Sequence, residues 1–167
     1  IFIIIFSPII IFIIFLIIIF ERHSIIFISC RIGKKGKLFK IYKFQTMLNN
    51  KITNLGFYLR RMSLDEIPQL FNVLKGDMSI VGPRPLPEKI EYDIILKYRE
   101  LRRKIRPGIT GLAQVHYSGK KRTLDEKINL DLYYINNISY FKYLNIIIMT
   151  FPTLIRRFIY NKTGKTL

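Results

Sequence analysis

Cysteine and histidine are scarce in this chain of 167 residues. The one cysteine is Cys30, and the two histidines are His23 and His116. A single cysteine excludes an intramolecular disulfide framework and any zinc site built from several cysteines. With only two histidines besides, no structural zinc site is expected either. The lone cysteine is compatible with a reducing, cytosolic environment.

Acidic side chains are also few. The chain has 11 aspartates and glutamates against 28 lysines and arginines, which gives a formal net charge of +17. Half of the residues are nevertheless hydrophobic, and this apolar content excludes a disordered basic tail. Two kinds of partner suit the combination: nucleic acid and an anionic membrane surface. The sequence has no glycine-rich nucleotide loop and no RNP, helix-turn-helix or zinc-knuckle signature.

A long apolar run opens the chain: residues 1–20 carry no charge. Twenty helical residues reach about 30 Å, the hydrocarbon thickness of a bilayer, so the run predicts a membrane segment. Hydropathy alone favours one transmembrane helix. Ser7 and Pro8 interrupt the run, however, and a proline kinks a helix, so the alternative is a re-entrant helix that leaves by the face it entered. The composition changes after this segment, which divides the chain into 1–22 and a membrane-associated domain, 23–167.

The rest of the sequence predicts an α+β fold with a small β-hairpin and several amphipathic or interfacial helices. Residues 24–32 and 38–47 are rich in β-forming side chains, and the glycines of GKKGK between them favour a turn. Helices are predicted over 54–61, 63–76, 87–104, 124–136 and 139–160. The last of these has the aromatic and basic composition of an interfacial helix, and a core helix kinked at Pro152 is the alternative.

Two adjacent carboxylates, Asp65 and Glu66, open the predicted helix 63–76. Ser63 and Glu66 have the spacing of a capping box, and Gly76 is a typical C-terminal stop. One interpretation is that both carboxylates only complement the helix dipole. The other is that they form a catalytic pair.

Basic side chains in stiff loops are candidates for binding phosphate. Arg84 lies between two prolines in GPRP, and Arg106 precedes the proline of RPG. Arginine on a rigid backbone suits bidentate recognition of phosphate. Arg60 comes shortly before the carboxylates, and Lys43 lies in the second predicted strand. The lysines at the hairpin tip are interpreted as a solvated, positively charged flank of the membrane segment.

Several motifs together resemble one family. KIYKFQTM, RRMSLDEIPQLFNVLKGDMSIVGPRP, IRPGITGLAQV and LDLYYINN, in that order, are similar to the bacterial sugar transferases, the monotopic phosphoglycosyl transferases. The resemblance covers about residues 1–150. The Ser7–Pro8 pair resembles the family's membrane signature, which implies a re-entrant helix in place of a spanning one. The chain begins without methionine, so we expect further residues upstream of Ile1.

The resemblance implies a reaction: transfer of a sugar-1-phosphate from a UDP-sugar to a polyprenyl phosphate such as undecaprenyl phosphate, with release of UMP. In this reading Asp65 is the nucleophile that forms a covalent phosphosugar intermediate, and Glu66 acts beside it. Both carboxylates would bind Mg²⁺. Arg60, Lys43 and Arg84 fall at the family's basic positions. The implied location is the cytoplasmic face of the bacterial inner membrane, where the enzyme would initiate glycan assembly with partner glycosyltransferases and without nucleic acid.

The sequence departs from the family pattern at a few positions. Gln45 replaces a basic residue, Leu112 replaces a tryptophan, and His116 replaces an asparagine. These departures keep open an alternative, a catalytically impaired structural member of a glycan-assembly complex. A basic, membrane-tethered module that binds phosphate or nucleic acid is the competing class, motivated by the net charge of +17.

Overall fold

A computed structural model describes residues 2–21, 23–116 and 123–160, and its architecture is α+β, as predicted. The helices are α1 (Phe2–Phe20), α2 (Asn54–Arg61), α3 (Leu70–Leu74), α4 (Glu88–Tyr92), α5 (Leu96–Arg102), α6 (Leu112–Val115), α7 (Leu124–Asn136) and α8 (Tyr140–Tyr160). The strands are β1 (Ile26–Ile32), β2 (Leu38–Phe44), β3 (Met47–Leu48), β4 (Lys51–Ile52), β5 (Ser79–Val81) and β6 (Gly108–Thr110). Two short 3₁₀ helices cover Lys34–Gly36 and Leu64–Gln69.

The predicted hairpin is confirmed. β1 and β2 pair antiparallel, with Ile26 opposite Phe44 and Ile32 opposite Leu38. Gly36 adopts a positive φ of 75° in the turn, a conformation that glycine adopts without steric cost. The second strand ends at Phe44, three residues before the predicted limit, because the chain then folds into the two-residue strands β3 and β4.

Helix α1 packs against this hairpin. Its Ile13 and Ile17 form a buried cluster with Phe44 of β2 and Leu59 of α2. The opposite side of α1 leaves large apolar side chains exposed, among them Phe20. Within the described residues, no helix has both the length and the apolar character needed to cross a membrane.

The predicted re-entrant break at Ser7 and Pro8 stays a prediction. α1 includes Pro8 in its interior and continues to Phe20.

The helix that was predicted to open with a capping box has a different start. Ser63 has a left-handed backbone, with φ 55° and ψ 21°, and its side chain makes no capping hydrogen bond. A capping residue needs an extended backbone, so the predicted capping box is wrong. A 3₁₀ helix runs from Leu64 to Gln69, and only then does α3 begin. Pro68 lies inside the 3₁₀ helix, and it would clash with the carbonyl four residues earlier in an α-helix.

Of the next two predictions, the stop at Gly76 is confirmed and the helix over 87–104 is wrong. Gly76 has φ +77° directly after the C-cap of α3, so its role as a stop is confirmed. The single helix predicted over 87–104 is wrong, since α4 and α5 are separated at residues 93–95. Ile94 is buried in this corner, and Ile95, the residue before α5, has a non-helical backbone with φ −50° and ψ 131°.

The loops that carry Arg84 and Arg106 are held together by a parallel strand pair that the sequence did not predict. β5 pairs with β6, with Ser79 opposite Gly108 and Val81 opposite Thr110. The backbones approach closely, since a Cβ atom on Gly108 would lie 2.1 Å from the nitrogen of Gly82. Strands of three residues are too short to show a period in the sequence.

The C-terminal helices were predicted correctly. α7 begins with the predicted capping box, in which Thr123 and Glu126 satisfy each other's backbone amides at 3.0 and 3.2 Å. α8 is one helix with Pro152 inside it. A second buried cluster, which includes Tyr134 of α7 and Ile146 of α8, packs both helices against Val81 of β5.

Candidate active site

Asp65 and Glu66 lie in a cleft of about 620 Å³ at the start of the 3₁₀ helix Leu64–Gln69. Lys43, Arg60 and Arg84 line the same cleft. Three elements that are distant in sequence therefore meet here: strand β2, the end of α2 and the loop after β5. Further lining residues, which sequence reasoning did not single out as ligands, are Phe27, Arg31, Thr46, Asn49, Asn50 and Ser63.

Glu66 holds two of the basic side chains in place through hydrogen bonds. Its Oε1 accepts a hydrogen bond from Lys43 Nζ at 2.6 Å and another from Arg84 Nη2 at 2.7 Å. Burial of Glu66 opposes its ionisation, but the charges of Arg84 and Lys43 outweigh that effect and lower the pKa of the carboxyl below its ordinary value. Glu66 is therefore an ionised, immobilised carboxylate that holds two cations in place.

Asp65 has the opposite character. It is only 8% exposed, and within the described residues its carboxylate accepts no hydrogen bond. Burial, reinforced by the negative charge of Glu66, raises its pKa to about 6, although Lys43, Arg60 and Arg84 act in the opposite direction. A carboxylate that is poorly solvated and lacks hydrogen bonds keeps its lone pairs available, which suits a nucleophile.

Arg60 is oriented by the segment between β2 and β3. Its Nε donates to Thr46 Oγ1 at 2.7 Å. This segment touches α2 at Gly56, where a Cβ atom would lie 2.3 Å from the carbonyl oxygen of Thr46. The hydroxyl of Thr53 caps α2 by accepting from the amide of Gly56 at 3.0 Å. The close approach of the Thr46 backbone to Gly56, which only glycine permits, therefore positions Arg60.

Asn72 fixes the carboxylate segment to the hairpin. It is fully buried on α3, and its Nδ2 donates to the carbonyl of Lys40 at 2.7 Å. Its Oδ1 accepts from the amide of Tyr42 at 3.2 Å. Both bonds go to β2 next to Lys43, so one side chain sets the distance between the lysine and the carboxylates. Sequence reasoning missed this residue, because an asparagine within a helical pattern gives no signal of burial.

A buried ionic cluster supports Arg84. Arg102 of α5 forms an ion pair with Asp131 of α7, and its Nε lies 3.9 Å from Glu91 of α4. Its Nη2 donates to the backbone carbonyl of Arg84 at 2.9 Å. The sequence predicted only a charged helix over 87–104 here. The sequence carries only a weak signal for this cluster, namely charged residues at the helical spacing expected of positions that face a core.

The remaining predicted residues lie elsewhere. The guanidinium of Arg106 is near Gly76, with its Nη2 3.6 Å from the position of a Cβ atom there, and it does not line the cleft. Ser7 and Pro8 lie in α1. The structure thus brings Asp65, Glu66, Lys43, Arg60 and Arg84 together.

A metal ion in this cleft would depend on its substrate for ligands. Over the described ranges, no group of three or more histidine, cysteine, aspartate or glutamate side chains is arranged to hold an ion. Asp65 and Glu66 supply two carboxylates. This donor set fits Mg²⁺, which is commonly bound through one or two carboxylates together with substrate phosphates.

A cleft that combines two carboxylates of contrasting ionisation with four cationic side chains, those of Arg31, Lys43, Arg60 and Arg84, has the features of a site for phosphoryl chemistry. Comparison with known proteins agrees with this class. A family model described as bacterial sugar transferase matches residues 1–157, so the chain belongs to the bacterial sugar transferase family.

Named relatives give more detail. The uncharacterized sugar transferase EpsL of Bacillus subtilis is 39% identical over 140 residues, which are 75% of this chain and 67% of EpsL. A UDP-N-acetylgalactosamine-undecaprenyl-phosphate N-acetylgalactosaminephosphotransferase of Aeromonas hydrophila is 35% identical over 152 residues, 80% of this chain and 36% of that protein. A UDP-glucose:undecaprenyl-phosphate glucose-1-phosphate transferase of Klebsiella pneumoniae is 39% identical over 150 residues, 78% of this chain and 32% of that protein. The matched part is therefore about two thirds of EpsL and about a third of the other two.

Proposed function

We propose that the protein transfers a sugar-1-phosphate from a UDP-sugar to a polyprenyl phosphate, such as undecaprenyl phosphate, and releases UMP. The observation that carries the proposal is the contrast within the carboxylate pair. Asp65 is desolvated and accepts no hydrogen bond within the described residues, whereas Glu66 is ionised and held by Lys43 and Arg84. The names of the Aeromonas and Klebsiella relatives support the choice of substrates.

The reaction has two steps at one phosphorus atom. A carboxylate oxygen of Asp65 attacks the phosphate that carries the sugar, the bond from that phosphorus to the bridging oxygen of the pyrophosphate breaks, and UMP leaves with the electron pair. An oxygen of the acceptor phosphate then attacks the same phosphorus and displaces Asp65. The product is a polyprenyl diphosphate sugar. Splitting one difficult transfer into two easier ones is the general advantage of a covalent intermediate.

The cations stabilise the charge that develops on the phosphate oxygens. Arg84 and Lys43 are already oriented by Glu66, so little reorganisation is needed when the pyrophosphate enters. Arg60, which is held by Thr46, adds a third positive charge to the wall of the cleft. Arg31 also lines the cleft, so four cationic side chains remain there although Gln45 replaces a basic residue.

Mg²⁺ is proposed as the cofactor. Glu66, with Asp65 beside it, would hold the ion together with the pyrophosphate oxygens, and the ion would supply additional neutralisation of phosphate charge. Lys43 and Arg84 both donate to Oε1 of Glu66, and within the described residues its other oxygen accepts no hydrogen bond, which leaves that oxygen available to the ion.

The proposed location is the cytoplasmic face of the bacterial inner membrane, with residues 1–22 as a re-entrant segment that turns at Ser7 and Pro8. Exposed apolar side chains along α1 and along α8, such as Phe20 and Phe151, support contact with a bilayer. At that surface the product would be available to the glycosyltransferases that extend a glycan.

The test separates the first step from the second. The protein is purified in detergent and incubated with Mg²⁺ and each of a panel of radiolabelled UDP-sugars, without an acceptor. One sugar should leave label on the protein and release UMP in proportion to the enzyme, and the labelled peptide should contain Asp65.

The matched variants are Asp65→Asn and Asp125→Asn. Asp65→Asn should abolish both labelling and UMP release, whereas Asp125→Asn removes an exposed carboxylate of α7 and should leave them unchanged. Label on another residue, or normal labelling in Asp65→Asn, would refute the nucleophile. Absence of UMP release with every sugar would instead favour a catalytically impaired structural member.

A further inference from the structure

An apolar groove of about 210 Å³ lies directly beside the catalytic cleft. Its walls come from the 3₁₀ helix Leu64–Gln69, α3, β6, α6 and α8, and the apolar lining includes Leu64, Ile67, Leu70, Ile109, Val115 and Leu154. Three residues line both the groove and the cleft: Ser63, Glu66 and Arg84. The groove is therefore continuous with the site at its charged end.

The three threonine hydroxyls in the groove already have partners. Thr150 Oγ1 donates to the carbonyl of Ile146, and Thr153 Oγ1 donates to the carbonyl of Met149, both at 2.8 Å. The hydroxyls of Thr110 and Thr150 are also 2.8 Å apart. A sugar or a nucleoside would need hydrogen bonds that these groups have already made, and burying it without them is costly. The walls favour a hydrocarbon.

We propose that this groove binds the part of the acceptor's hydrocarbon chain that adjoins its phosphate. The inference rests on the proposed function and adds to it the place where the acceptor enters. The guanidinium side chain of Arg84, 45% exposed, stands where the two cavities meet and binds the acceptor phosphate. The chain then runs along Leu64 and Ile67 towards Leu154.

The far side of the groove leads towards exposed apolar surface. Leu154 lines the groove, and its neighbours on α8, Phe151 and Ile155, are exposed. Met62, also at the groove, is exposed as well. A hydrocarbon chain that leaves the groove therefore stays in contact with apolar side chains, which is the arrangement needed to deliver a phosphate from a bilayer to Asp65.

The experiment fills the groove and measures the two half-reactions separately. Leu154→Trp adds bulk inside the groove, and Ile155→Trp adds it at the next, exposed position of the same helix. We expect UMP release without acceptor to stay within about twofold of wild type in both variants, because the donor does not use the groove. The second-order rate constant for transfer from the labelled enzyme to undecaprenyl phosphate should fall at least about tenfold in Leu154→Trp only.

A tail-less acceptor identifies the cause. With methyl phosphate as the acceptor, Leu154→Trp and wild type should react at equal rates, because no chain enters the groove. A loss of equal size with methyl phosphate, or an undiminished rate with undecaprenyl phosphate, overturns the proposal.

A second pair of variants guards against misfolding. Leu70→Trp blocks the groove from α3, and Leu74→Trp is its exposed control. The same outcomes apply to this pair. Absence of UMP release in the wild-type protein would refute the proposed function itself, and this result is distinct from a failure of the groove.

Discussion

Arg102 donates a hydrogen bond from Nη2 to the backbone carbonyl of Arg84, with the two atoms 2.9 Å apart. The other terminal nitrogen of the same guanidinium is paired with Asp131. Arg84 in turn donates to Glu66 in the cleft. A buried ionic cluster that touches no substrate is thereby linked through a single backbone position to the residue that binds phosphate in the proposed reaction.

Arg102 is consequently expected to act as a positioning residue. Arg102→Lys keeps the buried charge but loses the forked geometry that serves Asp131 and Arg84 together. We expect kcat/KM for UMP release to fall about tenfold in Arg102→Lys. In an Arg84→Ala background the same change should have less than about a twofold further effect, because the two residues act through one contact.

Arg103→Lys is the control for this cycle. Arg103 lies next in sequence and contacts Glu91 at 3.4 Å. Its replacement should leave kcat/KM unchanged in both backgrounds. Additive losses from Arg102→Lys and Arg84→Ala would show that Arg102 acts independently of Arg84 and would contradict the positioning role.

The first half-reaction should depend on the ionisation of Asp65. Since burial raises the pKa of this carboxyl to about 6 and only the carboxylate attacks phosphorus, the rate should rise with pH up to about 6 and then level off. Lys43→Gln removes a positive charge that lowers this pKa and should move the midpoint to higher pH. Lys40→Gln, an exposed change on the same strand, should not move it. UMP release from pH 4.5 to 8 checks this, and a flat profile would contradict it.

The same carboxylate should reduce the stability of the protein. A folded-state pKa of about 6, above the ordinary 3.8, means that ionisation of Asp65 opposes folding once the pH exceeds the ordinary value. Asp65→Asn should therefore raise the free energy of unfolding at pH 8 by up to about 2–3 kcal/mol. The gain should shrink as the pH falls from 6 towards 4. Urea unfolding in detergent at the two extremes measures it, and a destabilised Asp65→Asn protein at pH 8 would contradict the assignment.

Gly56→Ala should damage the site through the backbone. The new methyl group would lie 2.3 Å from the carbonyl oxygen of Thr46, and such overpacking costs about 1–3 kcal/mol. Because Thr46 holds Arg60, KM for the UDP-sugar should increase as well. Asn54→Ala, at the exposed start of the same helix, is the control and should change neither quantity. Thermal unfolding and initial rates give the two readouts.

Local patterns predicted the elements whose signals lie within a few residues. The glycine-containing turn defined the hairpin, and the capping box at Thr123 and Glu126 defined the start of α7. The family motifs indicated Asp65, Glu66, Lys43, Arg60 and Arg84, which the fold brings to one cleft. These residues are separated by up to 41 positions, so no periodicity could have placed them together.

The incorrect predictions have physical causes that lie in tertiary structure. The capping box at Ser63 failed because the turn after α2 needs a left-handed residue there, and that backbone precludes the cap. The helix predicted over 87–104 is interrupted between Tyr92 and Leu96, where Ile94 is buried in the core. The pairing of β5 with β6 and the roles of Asn72 and Arg102 depend on contacts between distant segments, which a single sequence does not reveal.

The cluster of Ile13 and Ile17 with Phe44 and Leu59 has a practical consequence for anyone who wishes to work with a water-soluble fragment. Phe44 adjoins Lys43 in the sequence and Leu59 adjoins Arg60, so helix α1 packs against the residues next to two cations of the cleft. A chain shortened to begin at residue 23 would expose Phe44 and Leu59 and allow Lys43 and Arg60 to shift. The first helix thus supports the architecture of the cleft, and purification should retain it.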